Sequence, residues 1–119
     1  MGTFKVEVIV KNLNAPDRSV ALSLAVDTGA THTVVPASVI DALGIHPTQT
    51  FRVRLADGAV VEWPATSVLM QLEGREWPTI ALVWPNDGPA LLGAVTLEEF
   101  ALVVDPIACR LLPREAASV

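Results

Sequence analysis

Cysteine, histidine, tyrosine and basic charge are all scarce in this chain of 119 residues. A lone cysteine, Cys109, excludes an internal disulfide and any site built from several thiolates. The two histidines, His32 and His46, form no cluster with metal-ligand spacing, so neither a metal nor another cofactor is expected. Lysine and arginine number 8 against 13 acidic residues, a formal net charge of -5, which argues against nucleic acid as a partner. Apolar runs stay short of the ~18 residues needed to span a membrane. The first residues, Met1-Gly2-Thr3-Phe4-Lys5, lack a basic region followed by an apolar stretch, so no secretory signal is expected. Val6 stands where an N-terminal acylation motif on Gly2 would need Ser or Thr. Together with the single thiol, these features set a reducing, cytoplasmic location as the expectation.

What is present is apolar. Hydrophobic residues make up 51% of the chain and charged ones 18%, a globular composition with enough length for one real core. No linker divides it, so residues 1–119 read as a single domain, with 114–119 as a loose tail. So apolar a surface on a small chain also points to a partner that covers part of it.

Strand signals dominate. Phe4, Val6, Val8 and Val10 alternate with polar-leaning positions, and Val20, Leu22, Leu24 and Val26 do the same. Asn12–Arg18, with two Asn, a Pro and an Asp, predicts a turn between them. Residues 36–44 predict a short helix with Pro36 near its start and Gly44 just past its end. Phe51–Leu55 and Val60–Trp63 flank Asp57-Gly58, a hairpin signal, and Pro64 is expected to end or interrupt the return strand. Further strands follow at 65–72, 79–84, 101–104 and 110–112. Thr96 with Glu99 three residues on predicts a capping box opening a second short helix. Short strands, many turns and two short helices give an all-β barrel or sandwich.

One stretch stands apart. The apolar run Val20–Val26 leads straight into Asp27-Thr28-Gly29-Ala30, and Thr33-Val34-Val35 leads out. A carboxylate at the end of a core strand is expensive unless it is hydrogen-bonded or paired. Asp-Thr-Gly is also ordinary turn chemistry, and by composition it arises by accident in roughly one chain of this length in fifty. Its weight comes from what accompanies it. Asp27-Thr28-Gly29-Ala30, Thr33-Val34-Val35, the Asp57-Gly58 hairpin and Leu91-Leu92-Gly93 entering a short helix, in that order, resemble the retropepsin-type aspartic proteases. The resemblance covers roughly residues 20–112, and the closing pattern Leu91-Leu92-Gly93, Val104-Asp105-Pro106, Leu111-Leu112-Pro113 looks most like prokaryotic members.

The resemblance implies a fold and a chemistry. The fold would be a single-lobe closed β-barrel with one or two short helices and a flap hairpin. The activity would be endopeptidase cleavage by two carboxylates sharing a proton, one taking a proton from water and the other donating to the scissile carbonyl oxygen. The chain carries one Asp-Thr-Gly, so the second carboxylate would come from a second copy across a two-fold axis. By the resemblance, Asp27 is half of the catalytic dyad. Thr28 bonds across the dimer axis, and the Gly29 carbonyl binds substrate main chain. Ala30 lines the pocket, and Asp57 and Gly58 belong to a flap that closes over a peptide. Retroviral members usually pair an acidic residue at the position of Thr31 with an Arg at the position of Ala94; both are absent here.

That double absence keeps a second reading open, a retropepsin-like dimer of little activity that serves as a binding or regulatory module. A third is an unrelated small β-barrel with an accidental triplet. Elsewhere the plain readings are preferred. His32 reads as a loop histidine rather than a substrate contact. Asp57, Asp87 and Asp105 read as turn formers. Cys109 reads as an inert thiol, and Trp63, Trp77 and Trp84 as core or interface aromatics with a pocket wall as the alternative.

Overall fold

Chain order is built on nine strands and two helices, and the computed structural model describes residues 3–119. The strands are β1 (Lys5–Asn12), β2 (Ala15–Val26), β3 (Thr33–Pro36), β4 (Gln49–Arg54), β5 (Val60–Leu72), β6 (Arg75–Trp84), β7 (Leu91–Leu92), β8 (Leu102–Asp105) and β9 (Arg110–Pro113). The helices are α1 (Ala37–Ala42) and α2 (Ala94–Glu99). Seven strands form one sheet in the order β1-β2-β7-β3-β6-β5-β4. Pairing of β1 with β5, Val10 opposite Met70, closes this sheet into a barrel and leaves β4 outside the ring. The β8–β9 hairpin forms a second, two-stranded sheet. The fold is the expected all-β one, a closed barrel with two short helices.

Alternation sorts the apolar side chains. Val8 and Val10 of β1, Leu24 and Val26 of β2, and Val68, Met70 and Leu72 of β5 point into the barrel, where α1 adds Ile40 and α2 adds Leu97. A second cluster lies outside the barrel: Val34, Trp63, Ala65 and Leu82, with Phe51, Val53 and Trp84 against them. Strand β5 therefore buries opposite faces at its two ends, one toward the barrel and one toward β4.

Four expectations change. Pro64 does not break its strand; β5 runs through it for 13 residues. Pairing with β6 begins only at Ala65, so the proline sits where β4 alone is a neighbour and a missing N–H is tolerated. The turn after β1 is only two residues long. Asn12 Oδ1 accepts from the N–H groups of Asn14 (2.8 Å) and Ala15 (3.2 Å), and residues 16–18 become a bulge between the pairs Lys11–Ser19 and Asn12–Ala15. Thr96 does not cap α2. Gly93 takes that position without a side-chain bond, and Thr96 lies buried at the third helical residue. The hairpin at Glu73-Gly74 lets β6 start at Arg75 rather than Thr79.

Thr96 instead belongs to a buried polar chain. Its hydroxyl lies 2.6 Å from that of Thr33 and 2.9 Å from that of Thr79, and Thr79 donates to Glu99 at 2.8 Å. Thr33 Oγ1 accepts the Gly93 N–H at 3.1 Å. Because Glu99 is the terminal acceptor, the protons order one way: Thr33 to Thr96 to Thr79 to Glu99. This joins β3, α2 and β6 behind the Asp27 loop. Gly93 sits against the neighbouring strand so closely that an added Cβ would overlap the His32 carbonyl and lie 2.7 Å from the Thr33 nitrogen.

In the β8–β9 turn, Asp105 Oδ1 accepts from the N–H groups of Ile107 and Ala108, both at 3.1 Å, and the other carboxylate oxygen stands 3.7 Å from Arg110. The Ala108 bond leads in holding the Asp105 pKa below its ordinary 3.8, helped by the Ile107 bond and Arg110. A depressed carboxylate stabilises the fold above its unfolded pKa, and that contribution is lost as pH falls through the lower folded value.

Gly93→Ala is therefore expected to unfold the chain or lower its melting temperature by well over 5 °C, since the obstacle is main chain that cannot step aside. Thr96→Val leaves the Thr33 hydroxyl proton without an acceptor and Thr79 without its donor, and should cost about 1–3 kcal/mol in denaturant titration. In an NMR pH titration, the Ile107 and Ala108 amide shifts should move together with the Asp105 carboxyl, with a common midpoint below 3.8.

Candidate active site

The Asp27 loop forms where β2 leaves β1. The Val26 N–H still reaches the Phe4 carbonyl at 2.9 Å, but Ala25 and Val26 already pair in parallel with Leu91 and Leu92 of β7. The Asp27 N–H donates to the Leu92 carbonyl at 3.0 Å, which fixes the root of the side chain. The chain then turns within three residues. The Ala30 N–H donates to the Asp27 carbonyl at 3.2 Å, and the Gly29 N–H donates to Asp27 Oδ1 at 3.0 Å. One carboxylate oxygen is thereby oriented by the loop's own backbone, an Asx turn. A Cβ at Gly29 would meet that same oxygen at 3.2 Å, so the smallest residue keeps the carboxylate uncrowded.

The far side of the loop is held by α2. The N–H groups of Ala94 and Val95 donate to the carbonyls of Ala30 (2.8 Å) and Thr31 (2.9 Å). Unpaired N–H groups at a helix start need acceptors, and the loop carbonyls need donors; each satisfies the other. Thr31 and Ala94, the positions without the ion pair, thus take part through main chain.

Asp27 is half-buried at the edge of a groove of about 710 Å³. Gly29, Ala30 and His32 line it from the loop, and Phe51 to Ala56 line it from β4 and the start of its turn. Its apolar wall is the second cluster. The Trp63 and Trp84 rings pack at 4.4 Å between centroids and 51° between planes, and Trp84 Nε1 donates to the Pro89 carbonyl at 2.6 Å. A smaller cavity of about 180 Å³ lies on another side of the loop, lined by Asp27, Thr28, Phe4, Val104 and Pro106 among others.

The sequence-singled residues divide by place. Asp27, Gly29 and Ala30 meet at the groove. Thr28 is exposed beside the smaller cavity. Asp57 and Gly58 stand at the exposed tip of the β4–β5 hairpin, next to the lining residues Arg54, Leu55 and Ala56, and do not themselves line the groove in the single chain. That tip is a three-residue turn: the Leu55 carbonyl accepts the Gly58 N–H (2.9 Å), Gly58 has φ 88°, and Asp57 Oδ1 accepts the Ala59 N–H (2.9 Å). Arg54 Nη1 donates to the Gly58 carbonyl at 3.1 Å.

His32 lines the groove although it reads in sequence as a plain loop residue, and Phe51, Trp63 and Trp84 build its wall. One signal for that wall was available. Val34-Val35, Leu82-Val83 and Leu91-Leu92 are adjacent apolar pairs in strands, and a strand buries neighbouring residues only when both its faces are covered.

Among solved structures, the chain is similar to EIAV protease in complex with the inhibitor HBY-793, at 22% identity over 83% of this chain and 88% of that one, with a TM-score of 0.61. It is also similar to simian foamy virus (mac) protease, at 21% identity over 82% and 94% of the two chains, with a TM-score of 0.57. At these identities the likeness establishes the fold. No curated protein sequence matches the chain. The family profile described as "gag-polyprotein putative aspartyl protease" matches residues 18–99, which contain the Asp27 loop, the β4–β5 hairpin, Gly93 and α2. Over that span, well beyond half of its length, the chain belongs to this retropepsin-like aspartyl protease family.

Proposed function

We propose that the chain is one half of a homodimeric aspartic endopeptidase, in which Asp27 and the partner subunit's Asp27 share one proton and hydrolyse a peptide held in the groove. The carrying observation is a backbone-oriented carboxylate, the only one lining a wide groove, on a family fold with a single Asp-Thr-Gly. Two carboxylates brought close together cannot both ionise easily, so one stays protonated. The ionised one takes a proton from water, which attacks the scissile carbonyl carbon. The protonated one donates to the carbonyl oxygen as it becomes negative, and the proton then passes to the leaving amine.

Supporting roles follow from position. Thr28, exposed beside Asp27, is free to hydrogen-bond across a two-fold axis. The cavity next to it is bordered by Val104 and Pro106 of the β8–β9 hairpin, and Val103 and Ile107 of that hairpin are exposed apolar side chains, Ile107 at 94%. A two-stranded hairpin with apolar residues in water is marginal, and a second copy laid against it would bury them. Gly29 and Ala30 offer main chain and space to a peptide on the floor, and the Asp57-Gly58 hairpin closes from above. The main-chain bonds from Ala94 and Val95 hold the loop without the family ion pair, which favours an active enzyme over a passive binding module.

Asp27→Asn should sediment as a dimer like the wild type and lose cleavage of a peptide library by about a hundredfold or more. A variant that cleaves at the wild-type rate, or a wild type that remains monomeric while cleaving, overturns this reading.

A further inference from the structure

His32 is fixed on both flanks. The Val95 N–H holds the Thr31 carbonyl, the Gly93 N–H holds Thr33 Oγ1, and Gly93 itself packs on the His32 carbonyl. The side chain is steadied by the Phe51 ring, 5.2 Å away between centroids and tilted by 58°. The imidazole lines the groove that Asp27 lines, yet its Nδ1 is buried and meets no hydrogen-bond partner among the described residues.

That orphan nitrogen fixes the tautomer. A neutral imidazole has one N–H and one bare nitrogen. A buried N–H without an acceptor is among the costliest and rarest arrangements in folded proteins, and an unfilled lone pair is better tolerated. Nδ1 is therefore the bare nitrogen, and the proton sits on Nε2. Nδ1 is the buried nitrogen and Nε2 is not among the buried unpartnered atoms, so the Nε2–H is the one left for a ligand in the groove. Arg52 and Arg54 border the same groove, in a chain whose overall charge is -5. Against the one carboxylate of Asp27 these two guanidinium groups leave the groove lining net positive, which favours an added anion.

We propose that His32 is a substrate-binding residue which donates from Nε2 to an acceptor side chain of the bound peptide, and so supplies most of a selection for Glu or Asp at the groove position it faces. The inference rests on the peptide-hydrolase reading and adds the chemical class of substrate. Charge-assisted hydrogen bonds outweigh neutral ones, so carboxylates come first and amides second.

The test uses the full chain. A position-scanned peptide library identifies the position where wild type prefers acidic residues, and matched peptides with Glu, Gln or Leu at that position are then compared. Wild type should prefer Glu over Leu by about tenfold in kcat/KM. His32→Leu should cut that ratio severalfold, to the remainder that Arg52 and Arg54 provide, and His32→Gln, which keeps an N–H donor, should retain more of it. Nitrogen-15 NMR of the wild-type imidazole, a readout independent of cleavage, should show Nδ1 unprotonated and Nε2 carrying the proton in the neutral ring. An unchanged Glu-to-Leu ratio in His32→Leu, or a proton on Nδ1, overturns the inference while cleavage itself stands. A bond to a main-chain carbonyl of the peptide would give no side-chain preference through His32 and overturns it equally. A wild type that cleaves nothing in the library removes the hydrolase reading first, and this inference with it.

Discussion

The Asp27 loop is suspended from main-chain hydrogen bonds, and the rest of the molecule is arranged so that these can form. Leu92 anchors the loop at its entry through the Asp27 N–H, and Ala94 and Val95 anchor its exit through the carbonyls of Ala30 and Thr31. The donors and acceptors come from one short segment, residues 92–95. It must therefore lie between the loop and the barrel and touch both. Gly93 makes that approach possible, because its missing side chain lets the segment rest on the His32 backbone. The threonine chain from Thr33 to Glu99 then fixes the same segment from behind. A loop held this way depends on no particular charged side chain, which is why Thr31 and Ala94 are acceptable where relatives carry an ion pair.

Two apolar systems share the same strands. In β3, β6 and β7, one residue of each adjacent pair points into the barrel and the other into the groove: Val35 against Val34, Val83 against Leu82, Leu92 against Leu91. The barrel face supplies stability and the groove face supplies a binding wall. A polar substitution on either face would be felt by the strand that carries the other. The groove is thus an extension of the core left open on one side, and Asp27 and His32 are the polar groups set at its edge from the loop.

Much of this was legible in the chain. Strands β1, β2, β4 and β5 follow period-2 alternation, Gly44 ends α1 at φ 71° as its place in the pattern implies, and Asp105 forms a turn through its side chain. Asp27-Thr28-Gly29 was identifiable because of the ordered features after it rather than by itself. The differences share a cause. Local propensity reads Pro64, Thr96 and the polar run after Asn12 one way, and the position of their neighbours in the fold overrules it. A proline is harmless where no strand needs its N–H, and a threonine that looks like a cap is worth more as the centre of a buried relay.

The sequence alone determined the strand pattern, the family and the single carboxylate, because these depend on order along the chain and on side-chain chemistry. Only the tertiary structure decided that His32 borders the groove with a nitrogen unsatisfied, that Trp63 and Trp84 stack into one wall, and that Thr33, Thr79 and Thr96 form a line. Those groupings join residues from 17 to 63 positions apart, as the Thr79–Thr96 and Thr33–Thr96 bonds do. Local periodicity carries no information on which distant residues share a face once a sheet has closed into a barrel; closure itself assigns them.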